Sequence, residues 1–337
     1  NREFFYGRET EIAEIFRRVR RQMLTVLFGV SGLGKTSLLQ AGLLPKLGGT
    51  PFHPILIRLD HSPAAPDLIE QVRAAITREV ELARQAGVKV PRGPEAGEDL
   101  WGYFHDKTTD WLNAKEDVVN PVLVFDQFEE IFTREASTRE LEERRQRFME
   151  LLANLVENRP PDALARGLDA DADFAARYDF RQDDYRVVIS LREDFLAHLE
   201  SFKQRMPSVM ENRMRLKPMT EEQALQAVLG PGREIVEEPV GREIVAFVAG
   251  KARGTQPTSA TSAALESATP AEADPVLLSL VCDQLNRRRR ERNQERITAD
   301  LLTEEREGII QEFYEQAFKG LDAKVRVWVE DELLTAS

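Results

Sequence analysis

Cysteine is nearly absent: Cys282 is the only one in the chain. No disulfide can close within the chain, and zinc sites built on thiolates are excluded. Cys282 lies in the apolar run 276–285, where a small buried side chain is expected. Apolar runs long enough to cross a bilayer are missing too, and so is a signal peptide. A cytoplasmic protein without membrane contact is the expectation. Positive charge is in deficit. The net charge is −12, which argues against non-specific binding to DNA, RNA or an anionic surface. The four consecutive arginines at 287–290 are a local exception. They close a helical pattern and read as a solvated helix end. No internal repeat is visible within the chain. What is left is an ordinary globular balance, 337 residues with 42% hydrophobic and 31% charged, enough for two or three domains. The chain opens on Asn1 and stops at Ser337 without a helix terminator, and it reads as a segment of a longer polypeptide.

The sequence is organised around residues 23–39, MLTVLFGVSGLGKTSLL. Residues 23–28 form a short apolar run, long enough for one buried strand. GVSGLGKT at 29–36 then fits G-x-x-x-x-G-K-[ST]. Leu38, Leu39, Leu43, Leu44 and Leu47 follow at helical spacing. Strand, glycine-rich loop and helix together make a phosphate site. Glycines let the backbone take positive φ and bring its amides up to phosphate oxygens. The amides of Gly32, Leu33, Gly34, Lys35, Thr36 and Ser37 are the candidates. The helix points its positive end at the anion. Lys35 is placed to reach β- and γ-phosphates, and the Thr36 hydroxyl to ligate Mg²⁺.

The second informative stretch is VLVFD at 122–126, a continuous apolar strand ending in a carboxylate. A phosphate loop needs such an acid opposite its Mg²⁺. Asp126 would hold the metal or its water shell, and either Glu129 or Glu130 could polarise an attacking water. Arg192 ends a third apolar strand, 186–191, where it either senses a γ-phosphate or pairs with Glu193 or Asp194. Tyr6, Gly7 and Arg8, before the first helix, either fold over an adenine or cap that helix against the core. Further strands are expected at 54–59 and 213–216. Helices are expected at 67–85, 100–112, 141–156, 220–229, 233–249 and 275–285, with Gly230, Pro231 and Gly232 breaking the run between 229 and 233. Residues 160–185 read as a surface insertion and 254–273 as a mobile loop. The fold class is α/β, a parallel sheet flanked by helices. The expected domains are a nucleotide-binding domain at 1–212, a small all-helical domain at 213–323 and the start of a winged helix at 324–337.

With these residues placed, the chain resembles the nucleotide-binding core of bacterial STAND P-loop ATPases, relatives of NACHT and plant-resistance-type proteins. FYGRE at 5–9, GVSGLGKTSLLQAGLLPKL at 29–47, VLVFDQFEEIF at 122–132 and VVISLREDFL at 187–196 carry the likeness. LKPMTEEQALQAVLGPG at 216–232 and DPVLLSLVCDQLNRRR at 274–289 support it. The DQFEE form marks the novel STAND NTPase type. The resemblance implies binding of ATP or ADP with Mg²⁺, slow hydrolysis, and oligomerisation controlled by the bound nucleotide. It also implies a fused effector, a sensor and a trigger ligand outside this segment, in signalling or antiviral defence. By position it implies phosphate and metal roles for Lys35 and Thr36, the strand-end acid at Asp126, and trailing acids at Glu129 and Glu130. It further implies a sensor at Arg192 and an adenine contact at Pro231. Gln127 departs from motor ATPases, which place a catalytic Glu there; that suits a switch.

Two other classes stand beside this one. A motor acting on a polymer would turn over briskly, and the acidic balance and Gln127 oppose it. A scaffold with structural ADP would bind without turning over. A GTPase is disfavoured because no N-K-x-D occurs in the chain.

Overall fold

The computed structural model describes residues 5–62, 64–133, 139–252, 272–304 and 308. Within the first unit, Arg8 to Lys217, five strands form one parallel sheet: β1 Leu24–Gly29, β2 Phe52–Ile57, β3 Asn120–Phe125, β4 Arg186–Arg192 and β5 Arg213–Arg215, in the order β2-β3-β4-β1-β5. Their apolar runs are continuous rather than alternating because helices cover the sheet. Val26, Leu27, Leu123, Val124, Val187, Val188 and Ile189 have no exposed surface.

Strand order matters most for the site. β4 comes late in sequence yet inserts between β1 and β3. Its register pairs Gly29 with Arg192 on one side and Phe125 with Ile189 on the other. The carboxyl ends of β1, β4 and β3 therefore sit side by side, the edge at which open parallel sheets bind ligands.

The helices follow from local chemistry. Asp67 caps Leu68–Gln85 by accepting from Ile69 N–H. That helix packs on β2 and on the Arg139–Val156 helix. The helix expected over 100–112 is shorter, Leu100–His105. Asp106 ends it, because its carboxylate takes the Thr108 amide and hydroxyl at 2.9 and 2.7 Å and closes a tight turn. Residues 160–185 are not a plain surface insertion. They carry helices Asp162–Ala170 and Ala172–Ala176, and Leu164, Leu168, Phe174 and Tyr178 pack on the first core. Tyr185 is buried, its hydroxyl donating to Leu155 O at 2.8 Å.

The second unit comprises Pro218 onward with the residues just before Arg8. The division therefore falls after Lys217, not after 212, because Arg213–Arg215 pairs with β1 as a sheet strand. Thr220 starts the Glu221–Gly232 helix with a capping box to Gln223, a reciprocal pairing of end groups. Pro231 does not break this helix but sits inside its last turn. Glu238–Ala252 follows, beginning later than the expected 233, and then Pro275–Glu291. This unit is not all-helical: β6 Met219–Thr220 and β7 Glu272–Ala273 pair as a short antiparallel ribbon. Ala224, Ile244, Val248, Val281, Leu285 and Leu302 make its core, with Cys282 packed beside it. Burial pushes the Cys282 thiol up to about 12, so it stays protonated at neutral pH. The arginines at 287–290 do close a helix, as expected: Arg288 pairs with Glu291 at 3.2 Å. Most of the loop expected at 254–273 and all of the winged-helix start at 324–337 lie outside the described residues. Among the described residues no helix is long and apolar enough to cross a membrane.

Candidate functional site

The phosphate loop leaves β1 at Gly29 and enters its helix at Lys35. Gly32 and Gly34 have φ of +85° and +84°, in the region open to glycine and costly for other residues. Gly29 answers a different need: a β-carbon there would lie 2.7 Å from Leu216 O. The helix begins as Lys35–Ser37, widens to a π-helical stretch at Leu38–Leu43 and returns to α at Leu44–Leu47. Pro45 accounts for the widening, since it lacks an N–H and its ring crowds the carbonyl four residues back.

The Lys35 ammonium folds over the loop, donating to Gly29 O at 2.8 Å and Val30 O at 3.0 Å. An ammonium has three donors, so one remains to meet a phosphate. Burial is the largest influence on Lys35 and lowers its pKa; Glu129 opposes that most strongly, Arg192 adds to it, and Asp126 and Asp194 oppose it. Strand order has thus gathered these side chains around one lysine.

Asp126 stands just past β3 and is 5% exposed. Its amide donates to Ile57 O at 3.0 Å, and its Oδ1 accepts from Gln127 N–H at 3.0 Å. Gln127 has φ +57°, which turns the chain sharply, and the Phe128 amide then donates to Ser190 O at 2.8 Å. The turn separates the two candidate acids. Glu129 Oε2 accepts from the Arg192 amide at 3.3 Å and faces the Lys35 side. Glu130 opens the short Glu130–Thr133 helix and pairs with Arg58 at 3.4 Å. It lines a cleft with His61, Leu68 and Ile131. The Arg192 guanidinium pairs with Asp194 and lies 5.6 Å from the Phe195 ring centre, so the structural pairing exists beside its proximity to Lys35.

Tyr6, Gly7 and Arg8 divide. In the second unit, a β-carbon on Gly230 would come within 2.3 Å of the Tyr6 ring, and one on Gly7 within 2.2 Å of Gln223 O. Tyr6 is therefore seated against Gly230, which precedes Pro231, and all three belong to one unit. Arg8 belongs to the first unit and is 2% exposed. Its guanidinium donates to Leu33 O in the phosphate loop and to Lys217 O. Sequence reasoning missed this tether, the left-handed turn at Gln127 and the π stretch. Only Pro45, inside an otherwise helical pattern, signalled any of them.

The residues fit a magnesium nucleotide. Among the described residues no group of three or more His, Cys, Asp or Glu could hold a metal. Mg²⁺ needs none, because it commonly takes one or two protein oxygens together with substrate phosphates. Thr36 and Asp126 are the side chains that would hold it here. Gln127 Oε1, Ser190 Oγ and Arg192 Nε are three of the nine buried side-chain atoms without a hydrogen-bond partner among the described residues, and a polar guest at the strand ends could meet those that face it.

A family model described as Novel STAND NTPase 1 matches residues 1–248. Among solved structures, the Aeropyrum pernix ORC1 protein in complex with DNA superposes with a TM-score of 0.50 at 15% identity, covering 98% of this chain and 72% of that one. The Aeropyrum pernix ORC2 protein, in ADPNP-ADP complexes, gives 0.51 at 12% identity, covering 90% and 67%. Its ADP form gives 0.51 at 11%, covering 89% and 67%. At these identities the likeness is one of fold. No curated relative matches the sequence.

Proposed function

This chain belongs to the Novel STAND NTPase 1 family, a family of nucleotide hydrolases, and from that premise we propose that it is an ATP/ADP-binding molecular switch of the cytoplasm. In this reading Lys35 and the loop amides hold the phosphates, and Thr36 and Asp126 hold Mg²⁺. Tyr6, Gly7 and Pro231 serve the base, and Arg192 distinguishes the triphosphate from the diphosphate. Mg²⁺, when bound, neutralises charge on the phosphates; the chain's own part is to orient them and to polarise a water with Glu129. Hydrolysis is slow and regulatory. The nucleotide state sets assembly with further copies, which brings fused effectors together in signalling or antiviral defence after a sensor meets its trigger.

The observation that carries this reading is the register that sets Arg192 beside Gly29 at the start of the phosphate loop, with the Glu129 carboxylate on the Arg192 amide and Asp126, Glu129 and Arg192 all acting on Lys35. Gln127 supports a switch over a motor, since an amide cannot take a proton from water as a carboxylate does. The test is to denature the purified protein, identify the nucleotide released, and repeat with Lys35→Ala. Adenine nucleotide in the parent and none in the variant is the expected result. Empty parent protein that also fails to bind ATP or ADP would refute the switch. Brisk turnover stimulated by a polymer would replace it with a motor.

A further inference from the structure

Arginine is rarely buried without partners that satisfy its fork. Arg8 is 2% exposed and has three such partners. Nη1 lies 2.7 Å from Glu11 Oε1. Nη2 donates to Lys217 O at 2.9 Å and to Leu33 O at 3.5 Å. The two carbonyls are 209 and 25 residues away in sequence, so this is a tertiary clasp, not a local turn.

Each carbonyl has a consequence. Leu33 immediately precedes Gly34 in the phosphate loop. In a planar trans peptide the carbonyl oxygen and the following N–H point in opposite directions. A Leu33 oxygen turned inward onto a buried guanidinium therefore turns the Gly34 N–H outward, to the mouth of the loop. The φ of +84° at Gly34 is the backbone state that permits this plane. Lys217 is the last residue of the first unit. Among the described residues the chain passes between units at only two points, Gly7 to Arg8 and Lys217 to Pro218. One guanidinium thus holds both crossings and the phosphate loop.

We propose that Arg8 is a positioning residue that keeps the Gly34 amide facing the terminal phosphates and couples that amide to the two points where the chain changes unit. The inference rests on the nucleotide reading above and adds the path by which bound phosphate is felt at Lys217. It follows that phosphate affinity depends on where Lys217 sits, and that occupancy of the loop tightens the crossing.

The test uses the full chain and Arg8→Lys, which keeps the charge and reaches Glu11 but lacks the planar fork. Binding of ADP and of AMP is measured by calorimetry. The Gly34 amide is followed by ¹⁵N-glycine NMR, and the segment around Lys217 by hydrogen exchange. The expected result is a folded variant whose ADP affinity falls about tenfold, about 1.4 kcal/mol, while AMP binding is unchanged. The ADP-induced shift at Gly34 shrinks, and the slowing of exchange around Lys217 on ADP binding, present in the parent, is lost. Unchanged ADP affinity in the folded variant overturns the proposal, as does equal loss for ADP and AMP, which a merely structural role would give. If the variant fails to fold, the parent decides. Exchange around Lys217 that does not respond to ADP overturns the coupling, and exchange that slows supports it. Lys35→Ala runs alongside. If the parent binds no ADP, or Lys35→Ala binds it as well as the parent, the nucleotide reading itself fails. Normal Lys35-dependent binding with an indifferent Arg8→Lys sinks only the positioning role.

Discussion

Glu129→Gln is the substitution that most directly tests the chemistry. The glutamine keeps an oxygen that can accept the Arg192 amide, held at 3.3 Å by the carboxylate, so the local turn should survive. What is lost is the charge, with two effects. A positioned general base contributes about 10²–10⁴ in rate, and hydrolysis should therefore slow by about a hundredfold or more, about 2.7 kcal/mol in barrier. The second effect falls on Lys35. Burial already lowers its pKa, and Glu129 is the strongest influence holding it up. A lysine is charged below its pKa, so phosphate affinity is present at low pH and lost as pH rises through that value. In the parent the loss begins at lower pH than for an ordinary lysine, and in Glu129→Gln it begins lower still. Glu130→Gln removes the charge from a half-exposed pair with Arg58, worth less than about 1 kcal/mol, and its rate should stay within about threefold of the parent's. The assay is single-turnover hydrolysis with enzyme in excess, plus ATP binding across a pH series. A Glu130→Gln defect larger than that of Glu129→Gln, or an unshifted pH profile, would refute the assignment.

Arg192→Ala should weaken ATP binding more than ADP binding in a competition assay; equal weakening would leave the pair with Asp194 as its whole role. Asp106 should carry an acid-sensitive part of stability. Burial raises its pKa, but hydrogen bonds from Arg177 and Thr108 outweigh that and hold it at about 2. The contribution is fully present above the ordinary carboxylate range and lost as pH falls from about 4 toward about 2, so urea midpoints should drop there in the parent and not in Asp106→Asn. Gly29→Ala should destabilise by about 1–3 kcal/mol in denaturant unfolding, because the new methyl meets Leu216 O. Gly48→Ala, where the nearest atom is at 3.8 Å, is the control and should be close to neutral.

Much of the site was legible because its determinants are local. A buried strand, a loop that needs positive φ and an apolar helical face each leave a pattern within a few residues, as in 23–47. Asp126 was legible for the same reason, a continuous apolar run that stops at a carboxylate. Non-local facts were not legible. Nothing in 186–192 says that this strand inserts between β1 and β3, yet that insertion brings Arg192 and Glu129 toward Lys35. Glu129 and Glu130 were equivalent in sequence, and the left-handed turn at Gln127 made them differ. Helix ends failed where a tertiary partner overrode periodicity. Asp106 ends its helix in a network with Thr108 and Arg177. Pro231 gives up the bond to the carbonyl four residues back, but only Gly232 follows it in the helix, so no further turn is disrupted.

Of the nine buried side-chain atoms without a hydrogen-bond partner among the described residues, three fall at or near these strand ends and six lie elsewhere. A buried polar atom without a partner costs about 1–3 kcal/mol, and folds keep such atoms where something outside the chain completes them. Gln127 Oε1, Ser190 Oγ and Arg192 Nε are of this kind. Two belong to β4 and the third to the turn that leaves β3, beside the register that pairs Gly29 with Arg192. An apolar guest would leave all three as they are, and a polyanion with ordered water would satisfy them. The amide at Gln127 can fix a water by hydrogen bonds yet cannot deprotonate it. Of the carboxylates in that turn, Glu129 acts on Lys35 more strongly than Asp126, and its Oε2 accepts from the Arg192 amide.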